Sequence, residues 1–191
     1  MQELQSVFVF IMKIIYKIEE AVEILLNQKI LIIFQGESEW GPRALGNRST
    51  LFDPRNKNAI QIVNSEKGRE WWRPLAGTIL LEHVHEWFDI GSLRESPFMS
   101  FAVEAKQKAI EETPSIVHVD RTCRIQTLNK NFNLNYYNLI YEFYKKTNVP
   151  ILLNTSFNLA GYPIPEKLDL ALEICQLKDW SIYLPNGIQT I

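Results

Sequence analysis

Two spacings of apolar residues recur along the 191-residue chain, one typical of helices and one of strands. Apolar residues recur at helical spacing from Ile18 to Leu25, and a continuous apolar run from 29 to 34 follows and ends beside Gly36. An amphipathic stretch followed by such a run indicates a helix, then a buried strand. The first part of the chain therefore predicts a helix, a strand and a glycine-containing loop, in that order.

The same patterns predict the remaining elements. Asp53 and Pro54 supply an N-cap and a first-turn proline for a second helix, which should end near Gly68. The further predicted elements are a strand at 77–81, a short helix at 82–88, an extended stretch from Ser96, a strand at 118–127, a helix carrying Tyr137, Ile140, Tyr141 and Tyr144, a strand at 151–153, a helix opened by Pro165 and a strand at 181–184. This mixture predicts an α/β fold of the α+β type.

Size and composition favour one soluble domain. With 191 residues and 46% hydrophobic content the chain can bury a substantial core. The apolar run from Val7 to Ile15 contains Lys13 and is far shorter than the roughly 20 residues of a membrane helix. Two cysteines, Cys123 and Cys175, are too few for a disulfide framework, so we expect buried thiols and a cytoplasmic protein.

Charge concentrates in one segment. Residues 41–73 hold seven Lys or Arg against three Asp or Glu, a net charge of +4 in a chain whose total is −2. A nucleic-acid-binding protein usually carries its basic excess over a whole face. The segment therefore predicts a focused anion site and argues against nucleic acid as the partner.

Two polar groups of residues accompany this segment. On a strand over 118–127, His118, Asp120, Arg124 and Gln126 would share one face. Asn154, Ser156 and Asn158 directly follow the strand predicted at 151–153, and ligands of open α/β folds commonly lie at the carboxyl ends of strands. Both groups are candidates for ligand contact.

Five motifs together resemble the C-terminal domain of the O-carbamoyltransferase family, which includes nodulation-factor and antibiotic-tailoring carbamoyltransferases. In this chain they read GESEWGPRALGNRSTLFDPRN from Gly36, VNSEKGREWWRPLAG from Val63, SPFM from Ser96, HVDRTCRIQT from His118 and VPILLNTSFNLAGYPI from Val149. The resemblance covers residues 21–184, and we treat residues 1–20 as an N-terminal extension and 21–191 as the domain.

The resemblance implies a YrdC-like twisted mixed sheet with flanking helices around a basic cavity. There, ATP and carbamoyl phosphate would react to give carbamoyladenylate, with release of pyrophosphate and phosphate. A Kae1-like N-terminal domain, here expected as a separately encoded partner, would hold the transfer-site metal, expected to be iron, and pass the carbamoyl group to an acceptor hydroxyl. Mg²⁺ would accompany ATP, and no metal ligands are predicted in this chain.

Fixed cations suit two polyanionic substrates, because arginine keeps its charge and its planar fork grips phosphate oxygens in pairs. We predict Lys67, Arg73 and Arg124 as catalytic residues. The predicted substrate-binding residues are Arg43, Asn47, Arg48, Ser49, Arg69, His118, Asp120, Gln126, Asn154, Ser156 and Asn158. The family resemblance implies that Asn154 and Ser156 orient the carbamoyl amide or a phosphate.

Each assignment has a structural alternative. Arg43 and Arg48 could tie loop carbonyls and nearby acids together, and His118 and Asp120 could be a satisfied structural pair. Trp71 and Trp72 we interpret as core and cavity wall. Arg121 and Tyr162 stand where the family usually has a glycine and an acid.

Three hypotheses about function follow. The chain is the adenylating part of a split carbamoyltransferase, or a YrdC-like module that binds nucleotide or RNA without chemistry, or a remnant of a two-domain enzyme with an exposed interdomain face. Turnover of ATP and carbamoyl phosphate is expected only of the first.

Overall fold

The computed structural model describes residues 12–187, which form nine β-strands and six α-helices. The first eleven residues of the predicted N-terminal extension lie outside the described part. The strands are β1 (Ile14–Ile15), β2 (Leu31–Phe34), β3 (Arg48–Phe52), β4 (Ala76–Leu80), β5 (Phe88–Asp89), β6 (Ala102–Ala105), β7 (Thr122–Leu128), β8 (Ile151–Ser156) and β9 (Ser181–Tyr183). The helices are α1 (Ile18–Leu26), α2 (Ala59–Lys67), α3 (Val84–Trp87), α4 (Gln107–Glu112), α5 (Leu134–Thr147) and α6 (Leu168–Lys178). Two short 3₁₀ helices, Leu81–His83 and Pro114–Ile116, complete these elements.

All nine strands join one mixed sheet in the order β1-β9-β2-β3-β8-β4-β7-β6-β5. Strands β4 and β7 pair in parallel, whereas β8 lies antiparallel between β3 and β4. The register places Ser49 opposite Ser156 and Asn154 opposite Ala76. The start of β3, the end of β8 and the start of β4 therefore lie next to one another, at the same end of three central strands.

The core follows from the apolar pattern. Helix α1 buries Ala21, Val22 and Leu25, as its helical spacing predicts. Both cysteines are buried free thiols, as expected from their number and neighbours. Within residues 12–187, none of the helices is long and apolar enough to cross a membrane.

Several predicted boundaries need correction. Strand β3 was predicted as part of a loop, because Arg48, Ser49 and Thr50 lack the apolar alternation that signals a strand. Helix α2 begins at Ala59 and not beside Asp53, whose carboxylate instead pairs with Arg55. Strand β8 continues through Ser156, so its polar residues belong to the strand itself.

The prediction of an extended stretch from Ser96 is also wrong. Residues 96–99 lie in a turn, and strand β6 starts later, at Ala102. Ser96 is nevertheless tied to the sheet, since its backbone N–H donates to Thr127 Oγ1 at 2.7 Å and its hydroxyl to the Ile125 carbonyl at 3.1 Å. A turn therefore covers β7 at this point.

Candidate anion-binding site

A loop of residues 36–47 folds over these strand ends, and the side chain of Glu39 holds it in place. One carboxylate oxygen of Glu39 accepts from the backbone N–H groups of Leu45 at 2.8 Å, Asn47 at 2.6 Å and Arg48 at 3.3 Å. Gly46 has a φ of +109°, and a Cβ there would lie 2.2 Å from the ring of Tyr136. The loop thus follows a path that only glycine can take at this position.

Two buried amides hold the same loop from below. Gln126 Nε2 donates to the Leu45 carbonyl at 3.0 Å, and Asn154 Nδ2 donates to the Ala44 carbonyl at 3.3 Å. Thr78 lies between the amides, donating to Gln126 Oε1 at 2.9 Å and accepting from Asn154 Nδ2 at 3.0 Å. All three side chains are buried, so in this structure Gln126 and Asn154 position the loop.

Arg48 is also directed at the backbone. Its guanidinium donates to the carbonyls of Gln35 at 2.6 Å, Asn47 at 3.1 Å, Gly36 at 3.0 Å and Glu166 at 3.3 Å. It lies 3.6 Å from the centre of the Phe34 ring, and burial lowers its pKa, although Glu39 and Glu166 oppose this. With the side chain 1% exposed, this geometry favours the structural alternative for Arg48.

Asn47 and Ser49 also make structural hydrogen bonds, in their case to the loop of residues 36–47 and its neighbours. Ser49 Oγ accepts from the Gly46 N–H at 3.0 Å. Asn47 Nδ2 donates to the Glu37 carbonyl at 2.8 Å, and its Oδ1 accepts from Asn133 Nδ2 at 3.0 Å. In this conformation both predicted substrate contacts stabilise the loop that carries Arg43.

Lys67 lies in the last turn of α2, which Gly68 closes in a left-handed conformation. The lysine is 3% exposed. Its Nζ donates to the Ser156 carbonyl and to Asn158 Oδ1, the latter at 3.2 Å. Burial, and secondly repulsion from Arg69, lowers the pKa of Lys67 to about 7. Such a lysine can change its protonation state near neutral pH.

Three arginines extend the positive charge from Lys67. Burial first, then repulsion from Arg73, lowers the pKa of Arg69 to about 10. Burial and then repulsion from Arg43 lowers the pKa of Arg124. Asn64 Oδ1 accepts from Arg69 Nε at 2.5 Å. Within the described residues, Arg69 Nη2 and Arg124 Nε are buried without a hydrogen-bond partner, so donors remain for an anion.

A cavity of about 460 Å³ opens beside Lys67, Arg69 and Arg73. Arg124 does not line this cavity, but its charge helps to lower the pKa of Arg69. It is lined by Lys67, Gly68, Arg69, Glu70, Arg73, Ser156, Asn158, Ala160 and Gly161. Arg73 is half exposed and pairs with Glu70 at 2.6 Å. Helix α2, the segment after it and the end of β8 therefore combine cations with neutral hydrogen-bonding groups, an arrangement suited to a phosphorylated anion.

His118 and Asp120 do not share a strand face with Arg124, which corrects the predicted strand over 118–127. They lie in a turn before β7, where Arg121 has a φ of +64°. Asp120 Oδ1 accepts from the Thr122 N–H at 2.9 Å and hydroxyl at 2.8 Å, which lowers its pKa. A left-handed φ is the conformation that glycine adopts without strain, and this chain has an arginine there.

The tryptophans of the basic segment also differ from expectation. Trp71 and Trp72 are 76% and 61% exposed, so they are not core residues. Sequence reasoning missed Thr78 as a site-forming residue, whereas Glu39 is one of the acids that the structural alternative for this loop involves. The pattern gave no signal for Thr78, because a single threonine within an apolar strand looks like an ordinary β-branched residue.

The sequence of this chain is similar to those of a known protein family. The model of the carbamoyltransferase C-terminus matches residues 22–187. The nodulation protein NolNO of Sinorhizobium fredii is 43% identical over 152 residues, covering 78% of this chain and 22% of that protein. NolO of Bradyrhizobium diazoefficiens is 42% identical over 156 residues, covering 80% and 28%. The chain therefore spans about a quarter of the length of these curated relatives.

Solved structures share the fold. Full-length HypF in a phosphate- and nucleotide-bound form has a TM-score of 0.61 at 20% identity, covering 89% of this chain and 25% of that one. Sua5 of P. abyssi, complexed with L-threonine, has a TM-score of 0.60 at 15% identity, covering 91% and 49%. These likenesses confirm the predicted YrdC-like α/β fold. With the family model matching residues 22–187, the chain belongs to the carbamoyltransferase C-terminal domain family.

Proposed function

We propose that this chain binds ATP and carbamoyl phosphate and forms carbamoyladenylate, which a separate Kae1-like domain or subunit uses to carbamoylate an acceptor hydroxyl. The observation that carries the proposal is the cavity in which Lys67, Arg69 and Arg73 meet Ser156 and Asn158. Membership of a carbamoyltransferase family supports the carbamoyl group as the one transferred.

The cation cluster suits the charge that this reaction must hold. Bringing ATP and carbamoyl phosphate together places several phosphate charges in one cavity, and their repulsion opposes binding. Arg69, with a pKa of about 10, keeps its charge at neutral pH. Among residues 12–187, Arg69 and Arg124 each have a buried N–H group without a hydrogen-bond partner. Such preorganised donors contribute most where negative charge develops in a transition state.

The proposed reaction balances when one water is consumed. Water cleaves the phosphate from carbamoyl phosphate, which gives inorganic phosphate and carbamate. An oxygen of carbamate then attacks the α-phosphorus of ATP, forming the mixed anhydride bond of carbamoyladenylate as the bond to pyrophosphate breaks. In this scheme the protein's residues bind and orient the anions, and no covalent intermediate on the chain is required.

Mg²⁺ would arrive with the triphosphate of ATP. Residues 12–187 contain no cluster of three or more His, Cys, Asp or Glu side chains that could hold a metal ion. The fit of these residues for a resident metal ion is therefore poor. The metal proposed for acceptor transfer belongs to the partner domain.

Pyrophosphate release from ATP, Mg²⁺ and carbamoyl phosphate tests the proposal. The purified chain should release pyrophosphate only when both substrates are present. Arg124→Ala and Arg69→Ala should reduce the rate by about 100-fold or more, the usual cost of removing one group that stabilises transition-state charge. Arg94→Ala is the matched control, because Arg94 is exposed, does not line the cavity and is not among the charges that shift the pKa of Arg69, whereas Arg124 is.

The alternatives predict different results. Nucleotide binding without pyrophosphate release would refute adenylation by this chain and favour the non-catalytic binding module. Salt-sensitive binding of RNA would favour the nucleic-acid version of that module. Release that Arg124→Ala leaves unchanged would place the chemistry at another site.

A further inference from the structure

We propose that the side-chain nitrogen of Lys67 is a modification site, at which isocyanic acid adds to the amine and converts it to an uncharged carbamoyl-lysine. Isocyanic acid forms when carbamoyl phosphate decomposes, so a chain that uses carbamoyl phosphate would be exposed to it. The inference goes beyond the proposed function, because the product is a modified chain and not carbamoyladenylate. Cyanate salts supply the same reactant, so the inference can be tested without carbamoyl phosphate.

The amino group of Lys67 is buried and yet belongs to the wall of a cavity. Lys67 is 3% exposed. It lines the cavity of about 460 Å³ together with Ser156 and Asn158. This setting admits a molecule as small as isocyanic acid and hinders larger reagents that modify surface lysines.

The groups around this nitrogen favour the neutral amine. Its two acceptors, the Ser156 carbonyl and Asn158 Oδ1, are both uncharged. Glu70 also lines the cavity, but its carboxylate pairs with Arg73 at 2.6 Å. Arg69 is a like charge that opposes the ammonium form, and burial opposes it as well. The lowered pKa of Lys67 agrees with this geometry.

The two hydrogen bonds leave the reactive electron pair of Lys67 unused. A neutral amine has two N–H groups and one lone pair, and the Ser156 carbonyl and Asn158 Oδ1 accept from the two N–H groups. The lone pair forms a bond to the carbon of isocyanic acid. The π electrons of the C=N bond move to the nitrogen of isocyanic acid, which takes up the proton that Lys67 Nζ releases. The product keeps every atom of both reactants, and no group leaves.

The modification would change the electrostatics of the cavity. A carbamoyl-lysine cannot be protonated near neutral pH, so an anion in the cavity loses one cation that could face it. The affinity for pyrophosphate should fall by about tenfold, the usual size of one hydrogen bond to a charged group. Arg69 and Arg73 would keep the cavity cationic, so binding should be weakened and not abolished.

Site-resolved rates of reaction with potassium cyanate test the inference. Peptide mass spectrometry of the folded chain near pH 7 should show Lys67 modified about tenfold or more faster than Lys57 and Lys106, because a larger share of its amine is neutral. Lys57 is an exposed lysine just before α2. Lys106 is also exposed but donates to the His85 carbonyl at 2.6 Å, so it controls for the hydrogen bond. In concentrated urea the three rates should become similar.

Two further measurements separate the environment of the amine from simple access. The ratio of the Lys67 rate to the Lys57 rate should fall as the pH rises from 7 to 9.5, because only Lys57 still gains neutral amine over this range. Asn158→Asp should slow the reaction of Lys67 by about tenfold or more, because a carboxylate next to Nζ favours the ammonium form. Asn131→Asp is the control, since Asn131 lies in an exposed turn before α5.

The contrary results are distinct. Reaction of Lys67 no faster than that of Lys57 and Lys106 would overturn the inference. An unchanged Lys67 rate in folded Asn158→Asp would also overturn it, and if that variant does not fold, a constant rate ratio across the pH range would do so. Fast reaction of Lys67 that leaves pyrophosphate affinity unchanged would support the modification site and refute the role proposed for this cavity in anion binding.

Discussion

The buried amino group of Lys67 should make the folding stability of this chain rise with pH above neutrality. Its pKa is lowered from 10.5 to about 7 in the folded chain, first by burial and then by Arg69. Between these two values the unfolded chain binds a proton at Lys67 that the folded chain does not. Stability rises with pH wherever the unfolded state binds more protons. The contribution is therefore smallest below pH 7, where the folded chain must bury the charge.

The size follows from the pKa shift. Each unit of difference corresponds to about 1.4 kcal/mol, so raising the pH from 7 to 9.5 should increase the free energy of unfolding by up to about 3 kcal/mol through Lys67 alone. Relaxation around the charge would make the measured change smaller.

Urea unfolding of the wild-type chain and of Lys67→Met, at several pH values from 6 to 9.5, isolates this contribution. The difference between the two free energies of unfolding should shift in favour of the wild type as the pH rises. Lys57→Met is the control, because Lys57 is an exposed lysine just before α2. For this variant the difference should stay constant over the same range.

The reasoning would be refuted if the difference in free energy of unfolding between the wild type and Lys67→Met stayed constant from pH 6 to 9.5. It would mean that Lys67 keeps an ordinary pKa despite its burial. We also expect Lys67 to take up a proton when an anion binds next to its amino group near pH 8, because the anion favours the charged amine. Titrations in buffers of different ionisation enthalpy would measure that uptake.

Three further substitutions test the geometry of the site. Arg121→Gly should stabilise the chain by about 0.5–1 kcal/mol, since the φ of +64° is strained for arginine; thermal unfolding that shows a loss would contradict this. Gly46→Ala should destabilise the chain by about 2 kcal/mol or more, because its Cβ meets the Tyr136 ring; an unchanged melting temperature would be evidence against the described loop path. Arg48→Met should cost about 3 kcal/mol or more by removing four hydrogen bonds to carbonyls, whereas loss of anion affinity with full stability would instead favour a ligand contact.

The apolar periodicity determined most of the elements. Helices α1 and α5 and strands β2, β4 and β9 lie where the pattern predicts them, because each buries one apolar face or a continuous apolar run. Strand β3 and helix α4 were missed. The polar residues of β3 are buried against other parts of the protein, and a local pattern carries no information about such partners. Helix α4 has six residues and buries only Ala109, so it shows no apolar stripe.

The sequence by itself determined that a cationic segment exists and which residue types it holds, because charge and motif order are properties of the chain alone. The tertiary structure decided how those residues are used. Lys67 and Arg69 line a cavity, whereas Arg48 binds backbone carbonyls. Hydrogen bonds between residues far apart in sequence, such as Gln126 to Leu45, form only once the sheet brings them together. For that reason the direction of each side chain, and with it the chemistry open to the site, depends on the fold.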